Sequence, residues 1–495
     1  MPENSAARRG FFLRALAVAL MAGSILFAAA LLGEGVFRSV LLFRARGAAG
    51  QADFQLYASG ESSMRGIPFG KAPPDVVSEM FGGVLAGRRL RVINLAEGGN
   101  SIYPQAIKAI RAFKYRKQGA PAALLLYAGH NEQIGAGMEY PASLRAYEAF
   151  KERVLIHSLL LSEAVLRVER RFSFLGVRSQ ARYEFYLRRL IEAAREAGVV
   201  PVLSTLASNL SGAEPGGADN SPALAAAVDL EMKGHYEKAA ARYNSLLAGL
   251  TPQAARTARP YLEYRLGRCL RALGKPELAR THFLEALETD PLQFRAKPSQ
   301  NALLRALAAE YGLELVDAEE LFAAQASDGL PGSDLFVDMM HPDAPGYLLL
   351  SRAYAVKLGA LFGDKVRRDL RDPGMFFQPP FSLDGREMTP TGAYTQAATF
   401  LVMLAKGSAP LPDRFKLAEK DFKKALSASG ENNLAYIGLR VVRIYQRNGN
   451  ALQPEVAAWF EARRPSFEYL KQLNEDEMIA ADAFLRKWER GGLGG

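Results

Sequence analysis

The stretch "LYASGESSMRGIPFG", residues 56–70, decides how this chain is read. A short apolar run ends in a turn that carries Gly60, Glu61 and three serines, Ser59, Ser62 and Ser63. A polar surface loop has this composition. So does a strand end that presents a nucleophile, where glycine permits the tight turn and serine supplies the hydroxyl. What the chain offers at the ends of its other strands separates the two readings.

Short apolar strands alternate with amphipathic helices from Phe54 onward. "FQLYAS" reads as a first strand, "PDVVSEMFGGVLAG" (74–87) as a helix and "LRVINLA" as a second strand. A helical "SIYPQAIKAIRAFKYRK" leads to the apolar strand "AALLLYAG" (122–129). A strongly amphipathic helix at 180–197 feeds the strand "VVPVLSTL" (199–206). After an interruption the pattern resumes with a helix "SQNALLRALAAEYG", a strand "LELVDA" (313–318) and a loop and helix over 341–363. Strands alternating with helices predict a parallel sheet covered on both faces, with functional groups on loops at the carboxyl ends of the strands.

Three of those loops carry groups suited to acyl transfer. "GES" (60–62) offers a hydroxyl, "EGGNS" (97–101) a bare main-chain N–H near Gly99, and "GHNE" (129–132) the carboxamide of Asn131. In "LFVDMMHPDAPGY" an aspartate, Asp338, precedes His341 by three residues, a spacing that lets a carboxylate orient an imidazole. The competing reading makes Asp338 a helix cap and His341 incidental. Each loop alone is an ordinary turn; their order along one sheet carries the signal. The other histidines, His130, His157, His235 and His282, form no metal-ligand spacing, and no metal or organic cofactor is expected.

With Ser62, Gly99, Asn131 and the Asp338/His341 pair in that order, the chain resembles the SGNH (GDS-type) hydrolases over residues 50–212 and 294–362. The resemblance implies a flavodoxin-like α/β/α domain and a serine esterase or acyl-hydrolase. It implies Ser62 as nucleophile, His341 as base, Asp338 as its partner, and the groups of Ser62, Gly99 and Asn131 as the oxyanion hole. Glu61 and Glu132 stand where the family carries aspartate, and each extra methylene adds about 1.5 Å of reach. Ala96 replaces a frequent glycine. The same triad also serves O-acyltransferases of envelope polysaccharide, and the sequence does not separate the two. A non-catalytic scaffold that binds proteins is a third reading, opposed by the intact triad residues.

The interruption is a loop rich in Gly, Ser, Pro and Asn at 208–222, followed by helical pairs. "LGRCLRALGKPELARTHFLEALETDP" resembles a tetratricopeptide repeat through Leu266, Gly267, Gly274, Ala279, Phe283, Ala286 and Pro291. "LAEKDFKKAL" (417–426) repeats part of that pattern near the C-terminus. The domains expected are an anchor at 1–36, the two hydrolase parts at 50–212 and 294–365, inserted repeats at 213–293 and a C-terminal helical repeat region at 366–495.

The 495 residues exceed what one simple core needs. Charged content of 23% and hydrophobic content of 49% are ordinary for a globular chain. The net charge of +10 is scattered rather than blocked, which argues against a nucleic-acid groove and is compatible with anionic lipid. A single cysteine, Cys269, excludes an internal disulfide framework and a lipidated cysteine near the N-terminus. At that end Arg8, Arg9 and Arg14 precede 19 uncharged residues, Ala15 to Gly33. A run of that length favours an uncleaved signal anchor over a cleaved signal. The resulting expectation is a single-pass protein of a bacterial inner membrane, its catalytic domain in the periplasm. Its substrate would be an acylated carbohydrate or lipid, with a protein partner on the repeats.

Overall fold

The computed structural model describes residues 33–36 and 53–377, apart from 68, 115, 117–118, 135–139, 154–157, 172–177, 216–220, 292–294, 333 and 337–338. It also describes a hairpin, Phe381–Leu383 with Arg386–Met388, and single positions between 419 and 443. Residues 1–32, most of the C-terminal region, His157 and Asp338 lie outside the described residues. No helix among the described residues is long and apolar enough to cross a membrane.

Six strands form the main sheet: β1 (Phe54–Gly60), β2 (Val84–Leu85), β3 (Arg88–Asn94), β4 (Ala122–Tyr127), β5 (Val200–Ser204) and β6 (Glu314–Val316). Their spatial order is β2-β3-β1-β4-β5-β6. All neighbours pair parallel except the two-residue β2, which pairs antiparallel with β3. The five parallel strands thus follow the doubly wound order in which the chain first builds outward to one side of β1 and then crosses to the other. The loops after β1 and β4 flank that reversal, where such sheets open a crevice.

The central strands read as continuous apolar runs because both faces are covered. Every residue of β4 is buried, and in β1 only Gln55 is half-exposed. Helix α1 (Pro73–Met80) covers one face together with α12 (Ala344–Phe362). Helices α2 (Ile102–Lys114) and α5 (Gln180–Glu196) cover the other. Tyr57 meets Phe113 of α2 edge-on at 5.1 Å between ring centres. Between β4 and α5 the chain adds two helices that sequence periodicity did not delimit, α3 (Ala142–Arg153) and α4 (Leu159–Arg171). The helix expected over 74–87 stops at Met80, because Gly82 and Gly83 both take positive φ and turn the chain into β2.

Between β5 and β6 the chain makes a detour of four helices before its return helix: α6 (Pro222–Met232), α7 (Tyr236–Ala248), α8 (Pro252–Ala272) and α9 (Pro276–Thr289). Gly267 on α8 lets α9 come close. A Cβ there would stand 3.0 Å from the Phe283 ring. Arg265 of α8 is fully buried, and a buried guanidinium is tolerable only with partners. It pairs with Glu231 of α6 and with Glu214 of the loop after β5, each at 3.1 Å. Tyr264 also donates to the Ser211 carbonyl of that loop at 2.7 Å. The chain returns through α10 (Pro298–Tyr311), β6, α11 (Ala318–Gln325) and α12 (Ala344–Phe362).

Gly60 ends β1 in a space that admits no side chain. An added Cβ would lie 2.4 Å from the Tyr127 carbonyl oxygen on β4 and 2.6 Å from Met64 Cγ. Because one neighbour is sheet backbone, Gly60→Ala is expected to destabilise the fold by about 2 kcal/mol or more. Chemical denaturation measures this, and an unchanged midpoint would show that the strands are spaced differently.

Candidate active site

The site grows from the end of β1. Ser62 takes a helical backbone conformation (φ −55°, ψ −34°) and leads into a 3-10 turn, Ser63–Arg65, that reverses the chain. Its neighbours diverge. Ser59 is buried inside the strand, and Ser63, the first residue of the turn, is buried within it. Ser62 retains 7% exposure, and its Oγ lies 2.6 Å from Nε2 of His341, 279 residues further on. That is a short, well-formed hydrogen bond between a hydroxyl and an imidazole, the contact that a nucleophile and its base require.

His341 is held on the loop before α12. Asp343 caps that helix, its side chain accepting from the Gly346 N–H at 2.8 Å. Asp343, two residues after His341, is thus the N-cap of α12. Tyr347, one turn into α12, donates to the Ile67 carbonyl at 2.6 Å and so ties the helix to the loop that carries Ser62. Asp338 lies outside the described residues, so the carboxylate expected behind His341 has no position to compare.

Gly98 packs against Ser62, a Cβ built on it falling 3.7 Å from Ser62 Cβ. Gly99 follows at φ +76°, with open space beside it. The sequence singled out Gly99; its neighbour Gly98 supplies the close approach. Asn94, at the end of β3, donates to the Met64 carbonyl at 2.9 Å and holds this loop to the Ser62 turn. Asn131 is buried next to the same loop, its Nδ2 3.5 Å from the Asn100 carbonyl.

The two glutamates left unexplained by the sequence join these loops. Glu61, the residue before Ser62, turns inward and is 1% exposed. Its Oε1 accepts from the N–H groups of Gly129 at 2.9 Å and Asn131 at 3.1 Å, and its Oε2 from that of His130 at 3.1 Å. One side chain therefore satisfies three successive main-chain donors of the Asn131 loop, donors that would otherwise be buried unpaired. Glu132 in turn accepts from the Ile102 N–H at the start of α2 and joins the Asn131 loop to the Gly99 loop. The first loop is fastened to the third, and the third to the second.

The third loop is also braced from behind by the return segment after the four-helix detour. His130 is fully buried, and its Nδ1 accepts from the Ala296 N–H at 3.1 Å, which places the ring proton on Nε2. Gln300 donates to the Gly129 carbonyl at 3.0 Å. His130 is thus a neutral strut rather than an acid or base of the site.

Burial pushes the Glu61 carboxyl up to about 8, and the charge of Glu132 adds to the rise against the pull of the three N–H groups. Burial likewise raises Glu132 to about 7, opposed by the Ile102 N–H and by Arg182 and Arg178. The arrangement tolerates a neutral Glu61, because the carbonyl oxygen of the acid can still accept two N–H groups and its hydroxyl oxygen one. Among the described residues no group of histidine, cysteine and acidic side chains could hold a metal ion.

No protein-family model and no curated protein matches the chain. Solved structures similar to it include a GDSL-like lipase from Bacteroides thetaiotaomicron, at 10% identity and a TM-score of 0.30, over 64% of this chain and 95% of that one. A member of the lipolytic G-D-S-L family from Veillonella parvula matches at 14% identity and a TM-score of 0.29, over 61% of this chain and 95% of that one. A catalytic mutant of an acetylxylan esterase from Geobacillus stearothermophilus matches at 15% identity and a TM-score of 0.28, over 63% and 96%. At such scores the likeness does not bear on how the site works, which rests on its own geometry.

Both carboxyls keep a proton in the folded chain above the pH, near 4.5, at which the unfolded chain releases it. The stabilisation this contributes is complete below that pH and is lost as pH rises through about 7 to 8. Urea unfolding of the wild type across this window should show stability falling, and Glu61→Gln, which cannot ionise, should fall less steeply. Glu61→Ala strands three donors and should cost about 3 kcal/mol or more at any pH. Equal slopes in wild type and Glu61→Gln would show that Glu61 does not titrate in this range.

Proposed function

We propose that the protein is a serine esterase or acyl-hydrolase whose nucleophile is Ser62. The observation that carries this reading is the 2.6 Å hydrogen bond between Ser62 Oγ and His341 Nε2 at the carboxyl end of a parallel sheet, beside the strand-order reversal. His341 takes the hydroxyl proton as Ser62 Oγ attacks the ester carbonyl carbon. The tetrahedral oxyanion is received by the N–H groups of Ser62 and Gly99 and the carboxamide of Asn131. His341 then hands the proton to the departing alkoxide, leaving an acyl-serine and a free alcohol. A water molecule, deprotonated by His341, attacks the acyl carbon, the bond to Ser62 Oγ breaks, His341 returns the proton to that oxygen, and the acid is released. Asp338 is assigned to orient the imidazole and to stabilise its protonated form.

The substrate class fitting this reading is an acyl or acetyl ester on an envelope carbohydrate or lipid. The basic surface and the N-terminal run of 19 uncharged residues support action at a membrane, with that run as anchor and the catalytic domain on the extracytoplasmic side. The four-helix detour is read as tetratricopeptide-like and as a seat for a protein partner. The approach of Phe283 to Gly267 supports that kinship.

A fluorophosphonate probe should label the wild type and Ser63→Ala, but not Ser62→Ala. Labelling that survives in Ser62→Ala, or its absence from the wild type, overturns the assignment. With a chromogenic acetate ester, Asn131→Ala should lower kcat by about 10²–10³ if its carboxamide receives the oxyanion. A kcat unchanged in that variant removes Asn131 from the oxyanion hole.

A further inference from the structure

Helices α3 and α4 present a surface that the site does not use. Among their described side chains, every exposed charged one is basic: Arg145, Arg153 and Arg167. Two of the chain's exposed large apolar side chains stand with them, Phe150 at 50% and Val168 at 46%. Most of the acidic residues of the same helices point away. Glu148 and Glu169 turn inward onto the buried Lys151, and Glu148 also reaches Arg182 of α5 at 3.3 Å, while Glu152 is half-buried. Glu169 of α4 pairs with Lys151 of α3, and Phe150 and Val168 are each adjacent in sequence to one member of that pair. Exposed apolar and cationic side chains on these two helices, with Glu148 and Glu169 turned onto Lys151, match the chemistry of an anionic lipid surface.

The chain itself indicates what lies over this face. Wound as a helix, a run of the length of Ala15–Gly33 would span about 28 Å, close to the thickness of a bilayer core. It ends in the helical residues 33–36, and these are fixed to α4. Oε2 of Glu34 accepts from Ser158 Oγ and from the Leu160 N–H, each at 2.8 Å. Gly33 lies against the same helix, a Cβ there falling 3.0 Å from Leu160 Cδ2. Val36, beside this junction, is 65% exposed. The end of the apolar run and the basic, apolar face therefore meet at one helix.

We propose that α3 and α4 lie on the anionic surface of the bilayer that the N-terminal run enters, with Phe150 and Val168 in the headgroup layer and Arg145, Arg153 and Arg167 on lipid phosphates. The proposal rests on the anchor reading and adds to it an orientation. The domain does not swing free on a tether but sits on one face. Helix α12 covers the opposite side of the sheet and, despite exposing Val356, points away from lipid.

Phe150→Cys, Val168→Cys and, as reference, Val356→Cys can each carry one environment-sensitive fluorophore, because the native Cys269 is buried and leaves little background. The full-length chain is reconstituted into phosphatidylethanolamine–phosphatidylglycerol vesicles that contain brominated lipid, and the fluorophosphonate probe checks that each variant is folded. Quenching several-fold stronger at 150 and 168 than at 356 is expected, weakening when Arg145, Arg153 and Arg167 are all changed to Glu while the chain stays on the vesicles. Equal quenching at the three positions overturns the proposal but leaves the anchor reading intact. A chain that does not float with vesicles overturns both. Disulfide cross-linking between the 150 positions of two chains would assign the face to a second copy and overturn it as well.

Discussion

Everything that makes this site a site depends on one buried carboxyl. Glu61 sits between the end of the central strand and Ser62, and it collects three consecutive main-chain N–H groups from the loop after β4. Burying a loop turn without such an acceptor would leave each donor unpaired at a cost of about 1–3 kcal/mol. The carboxyl therefore holds Asn131 at a fixed position relative to Ser62. Glu132 extends the same logic by one loop, accepting from the first residue of α2. Two residues that read as departures from a family pattern are the fasteners by which three loops act as one surface.

The sheet brings these loops together and the return segment keeps them there. Parallel strands in the observed order place the ends of β1, β3 and β4 side by side, so groups on three separate loops converge without any contact close in sequence. His341 arrives from the far end of the domain and is fixed by the Asp343 cap and by Tyr347 on Ile67. The four-helix detour leaves between β5 and β6, and its exit, at Ala296 and Gln300, hydrogen-bonds the Asn131 loop. The detour is thus in mechanical contact with the site, by way of a neutral buried His130.

Much of this was legible because it leaves a local trace. Strands buried on both faces, such as β4, write unbroken apolar runs; helices such as α5 write a 3.6-residue period; Ser62 and His341 stand out by residue type at predicted strand ends and loops. What was not legible has partners without side-chain identity. Nothing in "GES" signals that Glu61 will meet the backbone of residues 129–131, because an N–H group looks the same at every position. That Gly98 lies against Ser62 while Gly99 turns the chain at positive φ shows only in the fold, because the two residues are identical in sequence. The two-residue β2 is too short for any periodicity. The ion pair between α3 and α4 uses Lys151, a buried lysine that composition alone would place on the surface.

The central claim is that Ser62, poised by His341, forms the covalent bond to the acyl group. The most direct test is to mix the protein with an activated acetate ester, quench in acid within the first turnover, and locate the added acetyl group by peptide mass spectrometry. The account predicts one acetyl group, on Ser62, that builds up in the wild type and is absent from His341→Ala. An acetyl group on Ser59, Ser63 or a lysine, or turnover with no acylated peptide at any time, would contradict it.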